Sequence, residues 1–309
     1  MRHAVPLALL LGAAAIAAVA YPLLTYSLTL ATFGLAHAVV ELRVLDVRYR
    51  RALMRPELGL VLLALGIVLA VRCAANLHWI DRESAHMLEI GAGIASVLVL
   101  LPRALRGGRT HAAITIGVAL ALGVGLCISP LGTLLVLAVL HNLAPWPLVA
   151  AVAEPAARRR LWRIGAVVYV AVPLIIATGW PYAWLAALAA PEATALPTGP
   201  LFDHLGAFAG PSPFEHPETA MYVFSACVYL QCAHYVGVLL VLPTHAPMPM
   251  RVPARVVIPI VAIAMLGVIL YATDFAAARS WYGTIAGVHA WAEFPAMLLV
   301  LEAIRSRAC

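Results

Sequence analysis

The chain has 309 residues and a formal net charge of +6; 64% of it is apolar and only 11% charged, against about a quarter charged in soluble domains. No polar stretch is long enough to form a soluble domain, and this composition excludes a soluble globular protein. Lysine is absent, so the basic excess is all arginine; this excludes a retinal Schiff base, which needs a membrane lysine, and arginines clustered between apolar runs point to topology rather than nucleic-acid binding.

A hydrocarbon core about 30 Å thick needs about 20 apolar residues per helix. Apolar runs bounded by Pro, Gly and charge predict ten spans, at 4–21, 24–43, 57–76, 84–104, 110–128, 130–152, 162–181, 218–242, 255–273 and 280–302. Arg2 and the run ending at Ala18-Val19-Ala20 resemble a signal peptide. A second apolar run follows at once, so the segment reads as an uncleaved first helix. Pro22 divides the first two spans and Ser129-Pro130 the fifth and sixth. Cys73, Cys127, Cys227, Cys232 and Cys309 form no CxxC pair. The first four lie in apolar runs, where cysteine is a small hydrophobe; no disulfide framework or zinc ribbon is indicated.

Alternating the spans places Arg2, Arg43 to Arg55, Arg103 to Arg109, Arg158 to Arg163, Arg251, Arg255, Arg305 and Arg307 on one side. Only Arg82 and Arg279 fall on the other. The positive-inside rule makes the first side cytoplasmic and puts both termini there. The expected fold is an all-α, polytopic transmembrane bundle forming a single domain over 1–309, in a bacterial inner (cytoplasmic) membrane. One long extracytoplasmic loop, 182–217, has no basic residue and carries Glu192, Asp203 and Glu215, with Glu218 just beyond it. It reads either as a cap over an entrance or as a linker.

Ionisable groups inside spans are costly and carry most of the functional information. The second span holds His37 and Glu41 as His-x-x-x-Glu, and the last span repeats the pattern with His289 and Glu293. Residues four apart share a helix face, so each pair presents an imidazole and a carboxylate to one point. That is the side-chain supply of a 2-His-1-carboxylate or di-metal site in a helix bundle. His141 and His234 lie singly on two further spans. At 1.5 Å per residue the four histidines fall in one middle-to-inner layer about 12 Å thick. The expected ligands are His37, His141, His234, His289 and Glu293, with Glu41 next. His86 and Glu89 lie nearer the outer surface, as possible additional members of the site. Arg72 falls at the depth of Glu89, which predicts a structural ion pair between them. His3, His78, His204, His216 and His245 read as ordinary loop residues.

Imidazole and carboxylate without thiolate fit non-haem iron, mono- or dinuclear, with zinc or manganese as alternatives. A site at this depth receives substrate from lipid, so the expected partners are the bilayer and a lipophilic small molecule, with no nucleic acid. The reaction expected of iron with open positions is oxygenation or oxidative cleavage of a carotenoid or other lipid. Two other readings use the same residues: a haem b electron carrier, with His37 and His234 as axial ligands, and a proton- or ion-coupled transporter.

Single histidines on separate helices, with a His-plus-acid motif early and another on the final helix, resemble the Brp/Blh-type bacterial membrane carotene dioxygenases. That resemblance implies that His37 and Glu41 match the early motif and His289 and Glu293 the final one, with His141 and His234 matching loosely by position. The family's early Pro-His-Gly is Ala36-His37-Ala38 here, its acid is usually Asp at another spacing, and its double-histidine segment is missing.

The arginine distribution predicts that a fluorescent protein fused after Cys309 is bright in bacterial cells, whereas alkaline phosphatase fused there is inactive. The reverse result contradicts the orientation.

Overall fold

The computed structural model describes residues 4–49, 53–209, 215–245 and 254–306. Arg2, His3, Arg50, Arg51, Arg251, Arg307 and Cys309 lie outside the described residues. Among the described residues every regular element is helical. In chain order the helices are α1 (Ala4–Ala20), α2 (Pro22–Tyr49), α3 (Arg55–Asn76), α4 (Arg82–Leu98), α5 (Leu101–Arg106), α6 (Arg109–Ile128), α7 (Pro130–His141) and α8 (Pro145–Val152). They continue with α9 (Pro155–Ala166), α10 (Val172–Ala177), α11 (Trp180–Leu185), α12 (Leu201–Ala209), α13 (Pro217–Val236), α14 (Leu242–His245), α15 (Ala254–Thr273) and α16 (Phe275–Ser306).

Joined across their short breaks, these give eight helices long and apolar enough to cross a membrane. Two further apolar helices, Val5–Ala20 and Val261–Thr273, are shorter and coincide with the first and ninth expected spans. Prolines set many of the boundaries. Pro22, Pro130, Pro145, Pro155 and Pro217 each open a helix, where a missing N–H goes unnoticed. Ser129 caps α7 by accepting from the Gly132 N–H, and Asp81 caps α4 by accepting from Ser84.

Two departures from simple spans shape the centre of the bundle. The expected span at 130–152 breaks at 142–144, so α7 ends at His141 and α8 restarts at Pro145. Separately, π-helical turns occur at Val167–Ala171 and Gly237–Val241, each followed at the second residue by a proline, Pro173 and Pro243. A proline supplies no N–H to the preceding turn, which widens. The two widened turns meet: the Tyr169 hydroxyl donates to the Ala233 carbonyl at 3.0 Å. A Cβ at Gly237 would lie 2.3 Å from the Tyr169 oxygen, so that contact admits only glycine.

Cross-helix pairs show how the site-bearing helices run. Gln231 donates to Thr29 while His234 faces Glu41, so α2 and α13 are parallel. Gly34 lies against Tyr282 while Glu41 faces His289, so α2 and α16 are parallel too. Arg72 donates to the Gly283 carbonyl and Asn76 to the Ser280 carbonyl, so α3 runs antiparallel to α16, and Arg72 also donates to Glu89 of α4. The buried apolar residues form three clusters, and α16 contributes to all of them through Phe275, through Ala296, Leu299 and Val300, and through Trp291.

The segment at 182–217 contains α11, a 3₁₀ turn at Ala186–Leu188 and α12. Leu201 and Leu205 of α12 are buried in the cluster formed by α1, α2 and α13, so the segment is more than a linker.

In lipid, apolar burial gives little drive for helices to associate, and close fit replaces it. Gly93 shows the fit at its tightest: a Cβ there would lie 2.1 Å from the Trp291 ring. Gly93→Val is therefore expected to destabilise the protein by about 1–3 kcal/mol, read as a lower thermal midpoint in detergent. An unchanged midpoint contradicts the packing.

Candidate metal centre

Four helices deliver one polar cluster to the apolar interior. His37 and Glu41 come from α2, His141 from the end of α7, His234 from α13, and His289 and Glu293 from α16. One ligand atom from each of His37, Glu41, His141, His234 and His289 lies within 4.8 Å of all the others. His37, Glu41, His234, His289 and Glu293 are all 3% exposed or less. The four-residue spacing on α2 and α16 puts each imidazole and its carboxylate on one face, and the break after α7 leaves His141 at a helix terminus.

Three of the ring pairs meet edge to face, and His141 and His234 are tilted at 50° to each other. The ring centroids are 4.5 Å apart for His141–His234 and His141–His289, 4.9 Å for His37–His234 and 5.0 Å for His37–His289. Glu41 Oε2 stands 3.5 Å from Nε2 of both His234 and His289. That is long for a hydrogen bond, whose usual range is about 2.7–3.2 Å. It is closer to the separation of two ligands on one ion: donors about 2.1 Å from a metal stand about 3 Å apart when adjacent and about 4.2 Å when opposite.

Two histidines are oriented from behind. His37 Nδ1 donates to the Phe33 carbonyl at 3.2 Å, which leaves its other nitrogen with a lone pair. His141 Nδ1 donates to Glu293 Oε2 at 2.8 Å, again freeing Nε2 as a ligand. Glu41 therefore stands among the imidazoles and Glu293 behind one of them, with its second oxygen 3.7 Å from His289 Nε2.

The other residues singled out by sequence lie elsewhere. Arg72 Nη2 donates to Glu89 Oε1 at 2.6 Å, and the Trp291 indole donates to the same oxygen at 2.8 Å. Glu89 is thus tied to the helix bearing His289 and Glu293 without entering the cluster. His86, partly buried on α4, is not among the converging donors.

Among the described residues, seven of the ten buried side-chain atoms without a hydrogen-bond partner belong to this cluster: both oxygens of Glu41, both nitrogens of His234 and of His289, and Glu293 Oε1. Unpartnered polar atoms in a membrane interior cost several kcal/mol each. A bound cation satisfies such a set, and the chemistry of the donors fits one.

A cavity of about 230 Å³ reaches the cluster, with His37 and His141 in its wall. Tyr26, Gln231, Tyr235, Tyr282 and Arg279 also line it, and sequence reasoning assigned none of them to the site. Above it lies His204, which the sequence reads as an ordinary loop residue but which is only 2% exposed. The signal was the apolar spacing of Leu201, Leu205 and their neighbours, which marks an amphipathic helix. His204 Nε2 donates to the Thr198 carbonyl at 3.0 Å, so Nδ1 accepts from Arg279 at 3.3 Å.

Comparisons with protein-family models, curated proteins and solved structures find no match.

Burial holds the His204 pKa below its ordinary value; the Thr198 hydrogen bond opposes this, the Arg279 charge adds to it, and Asp203 opposes it. The unfolded chain therefore takes up a proton at higher pH than the folded one. The contribution of neutral His204 is present above its unfolded pKa, near 6.5, and is lost as pH falls towards the folded value. Hydrogen exchange over residues 198–205, corrected for intrinsic rates, is expected to speed up from pH 7.5 to 5.5, and His204→Gln to flatten that dependence. Equal pH dependence in both proteins contradicts the assignment.

Proposed function

We propose that this chain is a membrane-embedded non-haem metalloenzyme, with iron as its metal, that oxygenates or oxidatively cleaves a membrane-soluble substrate. The observation that carries this reading is the convergence of four imidazoles and a carboxylate, within 4.8 Å of one another, in which both oxygens of Glu41 and both nitrogens of His234 and His289 have no hydrogen-bond partner among the described residues.

His37, Glu41, His141, His234 and His289 would hold the ion. Five nitrogen and oxygen donors exceed the four of a structural zinc site and include no thiolate, which favours iron. Iron held by these five donors would supply redox chemistry with dioxygen. Glu293 would hold the His141 ring in its ligand tautomer, with its second oxygen 3.7 Å from His289 Nε2. The surrounding apolar helices exclude bulk water, and the adjoining cavity gives a reactant access to His37 and His141.

The haem reading fits the same residues less well. A porphyrin supplies four donors itself and leaves two protein positions, whereas five protein donors meet here. In this reading the arginine-rich ends are cytoplasmic, which places Arg279 and α12 towards the outer face.

Metal analysis and an optical spectrum of detergent-purified protein test the proposal. The expected result is about one iron per chain without a Soret band, lost in a His37→Ala, His289→Ala double variant that still elutes as a single species. A Soret band would establish the haem reading. Folded wild type that takes up neither metal nor haem would leave transport as the better account.

A further inference from the structure

The cavity beside the cluster has a charge at one end that the proposed metal chemistry does not use. Among the described residues, Arg279 is its one lining arginine, and no aspartate or glutamate lines it. Arg279 precedes His289 by ten residues on α16, about 15 Å along the helix axis. One end of the cavity therefore carries a guanidinium and the other carries the metal-facing histidines.

Among the described residues, the partners shown for Arg279 carry no compensating charge. Nη1 donates to His204 Nδ1, and this ring is neutral because Nδ1 keeps a lone pair to accept from the guanidinium while Nε2–H goes to the Thr198 carbonyl. The guanidinium also lies 5.6 Å from the centre of the Tyr26 ring. Arg72, by contrast, meets a carboxylate at 2.6 Å. A charge set into a membrane protein is normally paired, so the partly buried Arg279 lacks an anion. Between the two ends the wall combines apolar side chains, among them Leu30, Val139 and Val228, with Asn142, Gln231 and the rings of Tyr235 and Tyr282.

We infer that this cavity binds an amphiphile with a single anionic head, the head held by Arg279 and the chain running towards His37 and His141. The inference rests on reading the His/Glu group as the reactive centre, and it names the substrate class for that centre: a carboxylate- or phosphate-headed lipid rather than a neutral hydrocarbon. At about 230 Å³ the cavity is smaller than the ~300–1,000 Å³ of sites for drug-sized ligands. It accommodates a single slender chain, not a bulky ring system. The separation of head and ligands selects a position several bonds from the head for reaction. His204 and Tyr26 position the guanidinium and are not catalytic residues.

Binding to chelator-treated protein in a non-ionic detergent tests this independently of any metal, so its failure leaves the metal reading standing. Radiolabelled dodecanoate and dodecyl phosphate are compared with dodecanol, using wild type, Arg279→Gln, Arg279→Lys and the exposed control Arg82→Gln. Wild type, Arg279→Lys and Arg82→Gln are expected to prefer at least one anion over dodecanol by about 10- to 100-fold, the range of a charge-assisted hydrogen bond. Arg279→Gln is expected to lose that preference while binding dodecanol as wild type does. The favoured anion identifies the head group as carboxylate or phosphate. Equal binding of all three ligands by wild type, or an anion preference that survives in Arg279→Gln, overturns the inference.

Discussion

The interior of a bilayer offers no water to a polar atom, so every nitrogen and oxygen brought there must find its partner within the protein. This chain brings six ionisable side chains to one place and satisfies them only in part. His37 and His141 each commit one nitrogen to an orienting acceptor, while Glu41, His234 and His289 point their polar atoms at one another without a hydrogen bond. Most of the architecture can be understood as the means of holding that arrangement against its own unfavourable solvation. A cation is the simple chemical answer to such a set of facing lone pairs.

The supports lie one step away from the cluster. Arg72 and Trp291 converge on Glu89, fastening α3 and α4 to the stretch of α16 between His289 and Glu293. Gly93 and Gly287 make this possible by leaving room for the Trp291 ring and the Arg72 guanidinium. On α13, Tyr169 bonds the Ala233 carbonyl beside His234, where two proline-associated π turns bring their helices together. Such widened turns recur at functional sites because they rotate the register of the helix beyond them. Buried charge, small residues and irregular helix therefore surround the same four-helix junction.

Much of this was legible in the sequence for a definite physical reason. Charges are so disfavoured in spans that His37, Glu41, His289 and Glu293 stood out, and the helical repeat showed that each pair shares a face. The Arg72–Glu89 partnership followed from matching depth alone. What periodicity does not specify is rotation about each helix axis or the arrangement of helices around the junction. That Glu41 groups with the four imidazoles while Glu293 orients His141 was accordingly hidden, since their spacing from a histidine is identical. The break after His141 was not foreseen either, because the apolar run resumes through 143–152 and only Asn142, Pro145 and Pro147 mark it. His204 was passed over for the opposite reason: it sits in a polar, proline-rich stretch whose short helix is stabilised mainly by tertiary contacts. Arg279 gained meaning only when that helix was seen above it.

His37, Glu41, His141, His234 and His289 are placed so that together they could hold one metal ion. X-ray absorption at the metal edge of iron-loaded protein tests this most directly, because imidazole rings give a recognisable outer-shell pattern. The account predicts only nitrogen and oxygen neighbours, at about 2.0–2.2 Å, with outer-shell scattering from four imidazoles that falls to three in His234→Ala. Sulfur in the first shell, or an imidazole count unchanged by that substitution, would contradict it.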